Sequence, residues 1–320
     1  REYQDRLQWI EASLLRLNEL GTGDALGPWA KRTVKAMIMD FDDTISLRGK
    51  DIEPAIIEDL QRLCARGVKI AIISGTNARR IARKLKLSSW PPLMLQQLHI
   101  AGCYGSEIYD TSEHTVLSEL NLANEKYVIL SRIHDLIPEA GRDPTSPYVK
   151  IRCTSPINAE TLANKIEARL DDSYDIFFSH DHVVYVLKHG KGHAAQKFLQ
   201  ENRINAQNVF VVADDVRNRR LDRSLCEQVQ GQGTIVNVGE ISLETLTLGL
   251  NIGRSYDKGL KLVLDLLVDA GPNAMELDLG ELYQRVTASP PTRRGKRPAA
   301  SLPQVLEEPA KITLATYCHV

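Results

Sequence analysis

Two rhythms of apolar and polar positions alternate along this chain. From Lys35 to Met39 a short apolar run stops at Asp40-Phe41-Asp42-Asp43-Thr44. Pro54 opens a helically spaced stretch through Ala65, a placement that suits proline in a first turn. Val68–Ile73 is rich in β-branched residues and is closed by Ser74-Gly75-Thr76; Asn77–Lys86 has helical spacing with a basic face, and Leu98–Ala101 is again apolar. Strand, helix, strand, helix, strand predicts a parallel sheet with crossover helices.

The middle of the chain changes character. Ser106–Tyr109 and Thr115–Leu117 read as a hairpin, 122–137 as a helix, Tyr148–Cys153 as a strand and Asn158–Leu170 as a helix. Ile176–Ser179 and Val183–Leu187 form a second hairpin turning at His180-Asp181-His182. Neighbouring strands interleaved with helices predict an α+β unit with one sheet face covered. The parallel rhythm then resumes with a helix over Gly192–Asn202, strands at Val209–Ala213 and Thr234–Val238, and a last helix from Tyr256 to Val268.

The expected fold is therefore α/β: a Rossmann-like doubly wound parallel sheet (31–104 and 188–286) interrupted by an inserted α+β cap domain (105–187). Before it, Leu7, Ile10, Leu14, Leu15, Leu17 and Leu20 mark an amphipathic N-terminal helix within 1–30, expected to pack on the domain or on a partner. After it, the Pro- and Arg-rich stretch 287–320 is expected to be a solvated, disordered tail.

Composition narrows the functions. With 40 basic against 41 acidic side chains in 320 residues, there is no global pull toward nucleic acid or an anionic membrane. No apolar run reaches the roughly 18 residues of a membrane span. Five scattered cysteines without a CxxC spacing argue against zinc sites and a disulfide framework, and suit a cytoplasmic protein. His189 and His193 stand four apart, but Gly190 and Gly192 interrupt the helix that a metal pair would need.

In open α/β sheets, ligands bind beyond the carboxyl ends of the strands. Three predicted strands end in groups with a shared chemical use, namely Asp40 and Asp42, then Ser74, then Asp214 and Asp215. Lys191 opens the helix before the third, and its Lys-Gly position at a helix start favours it over Lys188. Singly, each residue is an ordinary turn or capping residue. Together they bring carboxylates, a hydroxyl and an ammonium to one edge. Such a cluster must shift its pKa values or hold a cation.

Asp40-Phe41-Asp42-Asp43-Thr44 resembles motif I, DxDxT, of the haloacid dehalogenase superfamily. Ser74 is similar to its motif II residue, Lys191-Gly192 to motif III, and Val211-Val212-Ala213-Asp214-Asp215 to motif IV. Gly105-Ser106-Glu107-Ile108 looks like the segment leading into the cap in members whose cap lies between motifs II and III. The resemblance spans roughly residues 34–270. It implies a phosphatase in which Asp40 attacks phosphorus and Asp42 serves as acid and base. Mg2+ would bind to Asp40, the Asp42 carbonyl and Asp214. Ser74, Gly75 and Lys191 would hold the phosphate, with Thr44 bracing the loop.

The cap position and Lys191-Gly192-His193-Ala194-Ala195, similar to a trehalose-6-phosphate phosphatase segment, imply a small phosphorylated sugar as substrate. Two departures stand out: Ala213 replaces the usual glycine, and Asn218 stands where a second motif IV aspartate is expected, with Asp215 as a neighbouring support. Asn accepts hydrogen bonds but carries no charge. A catalytically weakened binding protein, suggested also by the N-terminal helix and the tail, therefore stays open beside the phosphatase, as does a phosphomutase, which would use the same nucleophile but keep the phosphoryl group on the sugar.

Overall fold

Strands that are apolar on both faces need helices on both sides, and the computed structural model of the protein has that arrangement. It describes residues 31–118, 121–137, 148–178, 182–217, 220–239, 245, 250–252, 257–269 and 276–278. The expected N-terminal helix and the Pro/Arg-rich tail lie outside the described residues.

In chain order the elements are β1 (Lys31–Thr33), β2 (Ala36–Met39), α1 (Pro54–Ala65), β3 (Lys69–Ile73), α2 (Ala78–Lys84), β4 (Leu98–Gly102), β5 (Glu107–Asp110) and β6 (Thr115–Ser118). Next come α3 (Leu122–Ile133), β7 (Val149–Arg152), α4 (Pro156–Glu167), β8 (Tyr174–Phe178), β9 (Val183–Lys188) and α5 (Lys191–Glu201). The last are β10 (Val209–Ala213), α6 (Arg223–Glu227), β11 (Thr234–Asn237), β12 (Leu250–Asn251), α7 (Asp257–Asp269) and β13 (Glu276–Asp278).

The main sheet has eight strands in the order β12-β11-β10-β2-β3-β4-β5-β6. Neighbours from β12 to β4 are parallel. Side chains alternate between its two cores, as the period of a strand requires. Met37, Met39, Ile70, Ile72, Phe210 and Val212 join the α1, α2 and α7 side, whereas Ile38, Ala71, Ile73, Val209 and Val211 join the α5 and α6 side. Helix α7 is tied to α1 by polar contacts: Lys261 lies 2.8 Å from buried Asp59, and Arg66 donates to the carbonyls of Leu267 and Val268 at 3.0 and 2.8 Å. The latter satisfies carbonyls that a helix end leaves without partners.

A second, antiparallel sheet has the order β7-β9-β8. Helices α3 and α4 cover one face, where Ile129, Ile133, Ala163 and Ile166 pack on Ile151, Val184 and Val186. Alternation turns Tyr185 and Leu187 to the other face, where Phe177 and Tyr104 meet them.

The structure differs from expectation at the start of the inserted segment. Hairpin β5–β6 extends the large sheet, pairing antiparallel to β4, rather than joining the three-stranded sheet. Its alternation suits either sheet; the free edge left by β4 decides the partner. β12 and the antiparallel β1–β13 pair were not expected from the sequence pattern. Cys64, Cys103, Cys153 and Cys226 are free thiols, and no described helix is long and apolar enough to cross a membrane.

Candidate active site

From β2 the sheet grows one way through β3 and β4 and the other way through β10 and β11, so the topology switches beside β2. Crevices at such points bind ligands in this architecture. Met39 stands opposite Val212 on one side and Ile72 on the other. Asp40, Ser74 and Asp214 therefore emerge at nearly the same level.

The turn after β2 is tightly wound. The N–H groups of Ile45 and Ser46 both donate to the Phe41 carbonyl, at 3.0 and 3.1 Å, and Asp43 takes a left-handed φ of 60°. Asp is among the residues that tolerate that conformation. Thr44, fully buried, donates from Oγ1 to Asp214 Oδ1 at 3.1 Å, so it orients a carboxylate across 170 residues of chain.

Lys191, the first residue of α5, is 3% exposed, and its Nζ lies 2.5 Å from both Asp40 Oδ1 and Asp222 Oδ1. Asp40, Asp214 and Asp222 each place an oxygen within 4.8 Å of the others. Burial, then the Asp222 carboxylate, pushes the Asp40 carboxyl up to about 8 despite the neighbouring ammonium. Asp214 is raised well above the ordinary range by burial and by Asp222 and Asp40. Burial opposes the charge on Lys191, but Asp222 and Asp40 outweigh it and hold its pKa above the usual lysine range.

Fully ionised, three carboxylates and one ammonium leave two negative charges. That charge and an all-oxygen donor set fit a hard divalent cation. The raised carboxyl values say the same thing: a proton is retained where a cation would relieve the repulsion.

Asp42 is arranged differently. Its Oδ2 accepts from Thr76 Oγ1 at 2.6 Å and lies 3.5 Å from Ser74 Oγ, which in turn accepts from the Thr76 N–H at 3.2 Å. A hydroxyl that the motif reading passed over thus fixes the second aspartate. Gly75 has a steric role: a Cβ there would stand 2.6 Å from Tyr104 Cζ. Lys188 faces Glu125 at 3.7 Å. The rings of His189 and His193 stack at 4.2 Å.

Asn218, the weak point of the last motif, lies outside the described residues. Asp215 contributes its backbone, donating from N to Asp222 Oδ2 and accepting from the Asp222 N–H, both at 3.2 Å; its carboxylate meets Arg217 at 3.5 Å. Asp222, eight residues after Asp214 and 1% exposed, supplies a carboxylate that the sequence reading missed. The available signal was its place directly before α6. If the cluster holds a divalent cation, replacing Asp222 by Asn is expected to weaken its binding at least about 10-fold in a calorimetric titration with Mg2+ as the probe; unchanged affinity would remove Asp222 from the cation site.

No protein-family model matches the chain, and no curated protein does. Solved structures do. A haloacid dehalogenase-like hydrolase from Bacteroides thetaiotaomicron is 16% identical with a TM-score of 0.51, over 72% of this chain and 98% of that one. One from B. subtilis is 12% identical at 0.54, over 73% and 100%. A Streptococcus mutans protein is 14% identical at 0.55, over 74% and 98%. The chain has the haloacid dehalogenase-like fold.

Proposed function

We propose that this protein is an Mg2+-dependent phosphomonoester hydrolase acting on a small phosphorylated sugar, with Asp40 as nucleophile and Asp42 as acid and base. One observation carries most of the weight: Asp40 shares its site with Asp214, Asp222 and Lys191, while Asp42, two residues on, is anchored separately by Thr76. Two carboxyl groups in different surroundings can do different work.

In the first step an Asp40 oxygen attacks phosphorus opposite the leaving oxygen; the ester P–O bond breaks and Asp42 gives that oxygen its proton. In the second, Asp42, now a carboxylate, takes a proton from water as the water attacks the aspartyl-phosphate. Inorganic phosphate leaves and Asp40 is restored. Lys191 and Ser74 are placed to hold the non-bridging oxygens. A divalent cation on Asp40, Asp214 and Asp222 supplies neutralisation of the negative charge on the phosphoryl group. The Asp222 carboxylate supports an active enzyme over a non-catalytic relative, a reading that rested in part on the uncharged Asn218.

Phosphate release from a panel of hexose and disaccharide phosphates, with and without Mg2+, tests this reading. Absence of Mg2+-dependent release from every member rejects it.

Asp40 also predicts a pH dependence. Its carboxyl keeps a proton up to about 8 in the folded, metal-free protein, against 3.8 ordinarily. Its stabilising contribution is therefore complete below pH 4 and is lost as pH rises through 8, by at most about 1.4 kcal/mol per unit. Mg2+ held by Asp40, Asp214 and Asp222 would compete with that proton, so the rise in Tm on adding Mg2+ is expected to be larger at pH 8 than at pH 6. An equal or smaller rise contradicts cation binding at this carboxylate.

A further inference from the structure

The motif Gly105-Ser106-Glu107-Ile108 carries one acidic side chain that the site described above does not use. Glu107 opens β5, half-buried, and stands opposite Gly102 at the end of β4. Its Oε2 accepts from the Ala78 N–H at 3.0 Å. Ala78 is the first residue of α2, and the opening N–H groups of a helix have no partner within it. The Asn77 side chain serves the Arg80 N–H at 2.8 Å; Glu107 serves Ala78 from another strand.

The same carboxylate holds a second stretch of backbone. The Cys103 thiol hydrogen-bonds to Glu107, and burial, then Glu107, pushes that thiol up, so it stays a neutral donor. Cys103 and Tyr104 have left-handed φ values of 47° and 59°, a conformation that persists where the surroundings enforce it. The Cys103 N–H donates to the Thr76 carbonyl at 3.1 Å. Close packing leaves this junction little play: a Cβ on Gly102 would stand 2.1 Å from the Ala78 nitrogen.

These contacts converge on Thr76. Its carbonyl is held by Cys103, its N–H by Ser74 Oγ at 3.2 Å, and the chain two residues on by Glu107. The Thr76 hydroxyl, aimed in this way, donates to Asp42 Oδ2 at 2.6 Å. Capping of α2 alone would explain the bond to Ala78 but not the bond to Cys103. A proton-transfer group must lie within hydrogen-bond reach of its target, and a misplacement of about 1 Å can cost about 10²-fold in rate.

We propose that Glu107 is a positioning residue for Asp42: by holding Ala78 and Cys103 on either side of Thr76, it fixes the hydroxyl that orients the Asp42 carboxyl. The inference rests on the hydrolase reading for what Asp42 does. It adds how a side chain of β5 sets the direction of that carboxyl.

Two conservative variants separate reach from charge. Glu107→Asp keeps the charge and is one methylene shorter, whereas Glu107→Gln keeps the reach and an acceptor oxygen. At saturating Mg2+, kcat/KM is measured for the best sugar phosphate of the panel and for p-nitrophenyl phosphate, whose leaving group departs without a proton. Glu107→Asp is expected to lower the sugar-phosphate value about 10- to 100-fold and the p-nitrophenyl value less than about 3-fold. Glu107→Gln should recover most of the loss. Thr76→Val should reproduce the selective defect, and Thr76→Ser should not. In an Asp42→Asn background, Glu107→Asp should cost less than about 2-fold more, because the group it positions is already gone. An unchanged sugar-phosphate value, equal losses on both substrates, or an undiminished loss on top of Asp42→Asn overturns the inference and leaves Glu107 a helix cap.

A crystal structure of metal-free Glu107→Asp keeps the two readings apart. Loss of the Thr76–Asp42 hydrogen bond is expected, and its persistence overturns the inference whatever the activity. Failure of the wild type to release phosphate would reject the hydrolase reading alone.

Discussion

Asp40→Asn is expected to lower kcat for phosphomonoester hydrolysis by about 10⁴-fold or more at saturating Mg2+. The amide matches the carboxylate in size and can still accept a hydrogen bond from Lys191, so the loss reports the missing nucleophile rather than a collapsed site. Asp42→Asn makes the control. Removing an acid/base group costs about 10²- to 10⁴-fold, and the cost should shrink for p-nitrophenyl phosphate, whose leaving group departs readily without a proton. The Asp40 defect should not shrink with that substrate. If Asp40→Asn keeps more than about 1% of wild-type kcat, the nucleophile lies elsewhere.

Lys191→Met carries the second large effect, and it is one of stability as well as rate. The ammonium is buried between Asp40 and Asp222, 2.5 Å from each. Removing one member of a buried charged group typically costs about 3–5 kcal/mol, because the remaining charges stay unpaired. Urea unfolding in chelator should show that loss, and Mg2+ should restore more stability to the variant than to the wild type. Turnover of the Mg2+-loaded variant should fall by about 10²- to 10³-fold, the usual cost of losing one electrostatic contact to the transferring group. A stability loss below about 1 kcal/mol would mean that the carboxylates do not depend on Lys191.

Much of this arrangement was legible in the order of residues alone. The continuous apolar runs of β2, β3 and β10 and the polar residues closing each strand predicted the large sheet, and its register brings Asp40, Ser74 and Asp214 nearly level. Those signals are local, written within five or six residues. What escaped was long-range. Hairpin β5–β6 has the same pattern whichever sheet it joins, and only the open edge of β4 decides. Asp222 follows an Arg-rich stretch of sequence, where spacing from Asp214 gives no cue, and only the fold turns it toward Lys191. Thr76 looked like part of a turn until its hydroxyl proved to hold Asp42. The turn at Cys103 and Tyr104 was hidden for another reason: nothing about either residue announces a left-handed backbone.

The distance along the chain between Asp40 and Lys191 has a bearing on biosynthesis. Asp40 and Lys191 are 151 residues apart, and β2 gains its β10 neighbour later still. A ribosome making about 5–20 residues per second exposes the first aspartates many seconds before their counter-charge is translated. Between the translation of Asp40 and that of Lys191 the nascent polypeptide therefore holds its first aspartates without their counter-charge, and the acidic cluster closes only once β10 is made and can dock beside β2.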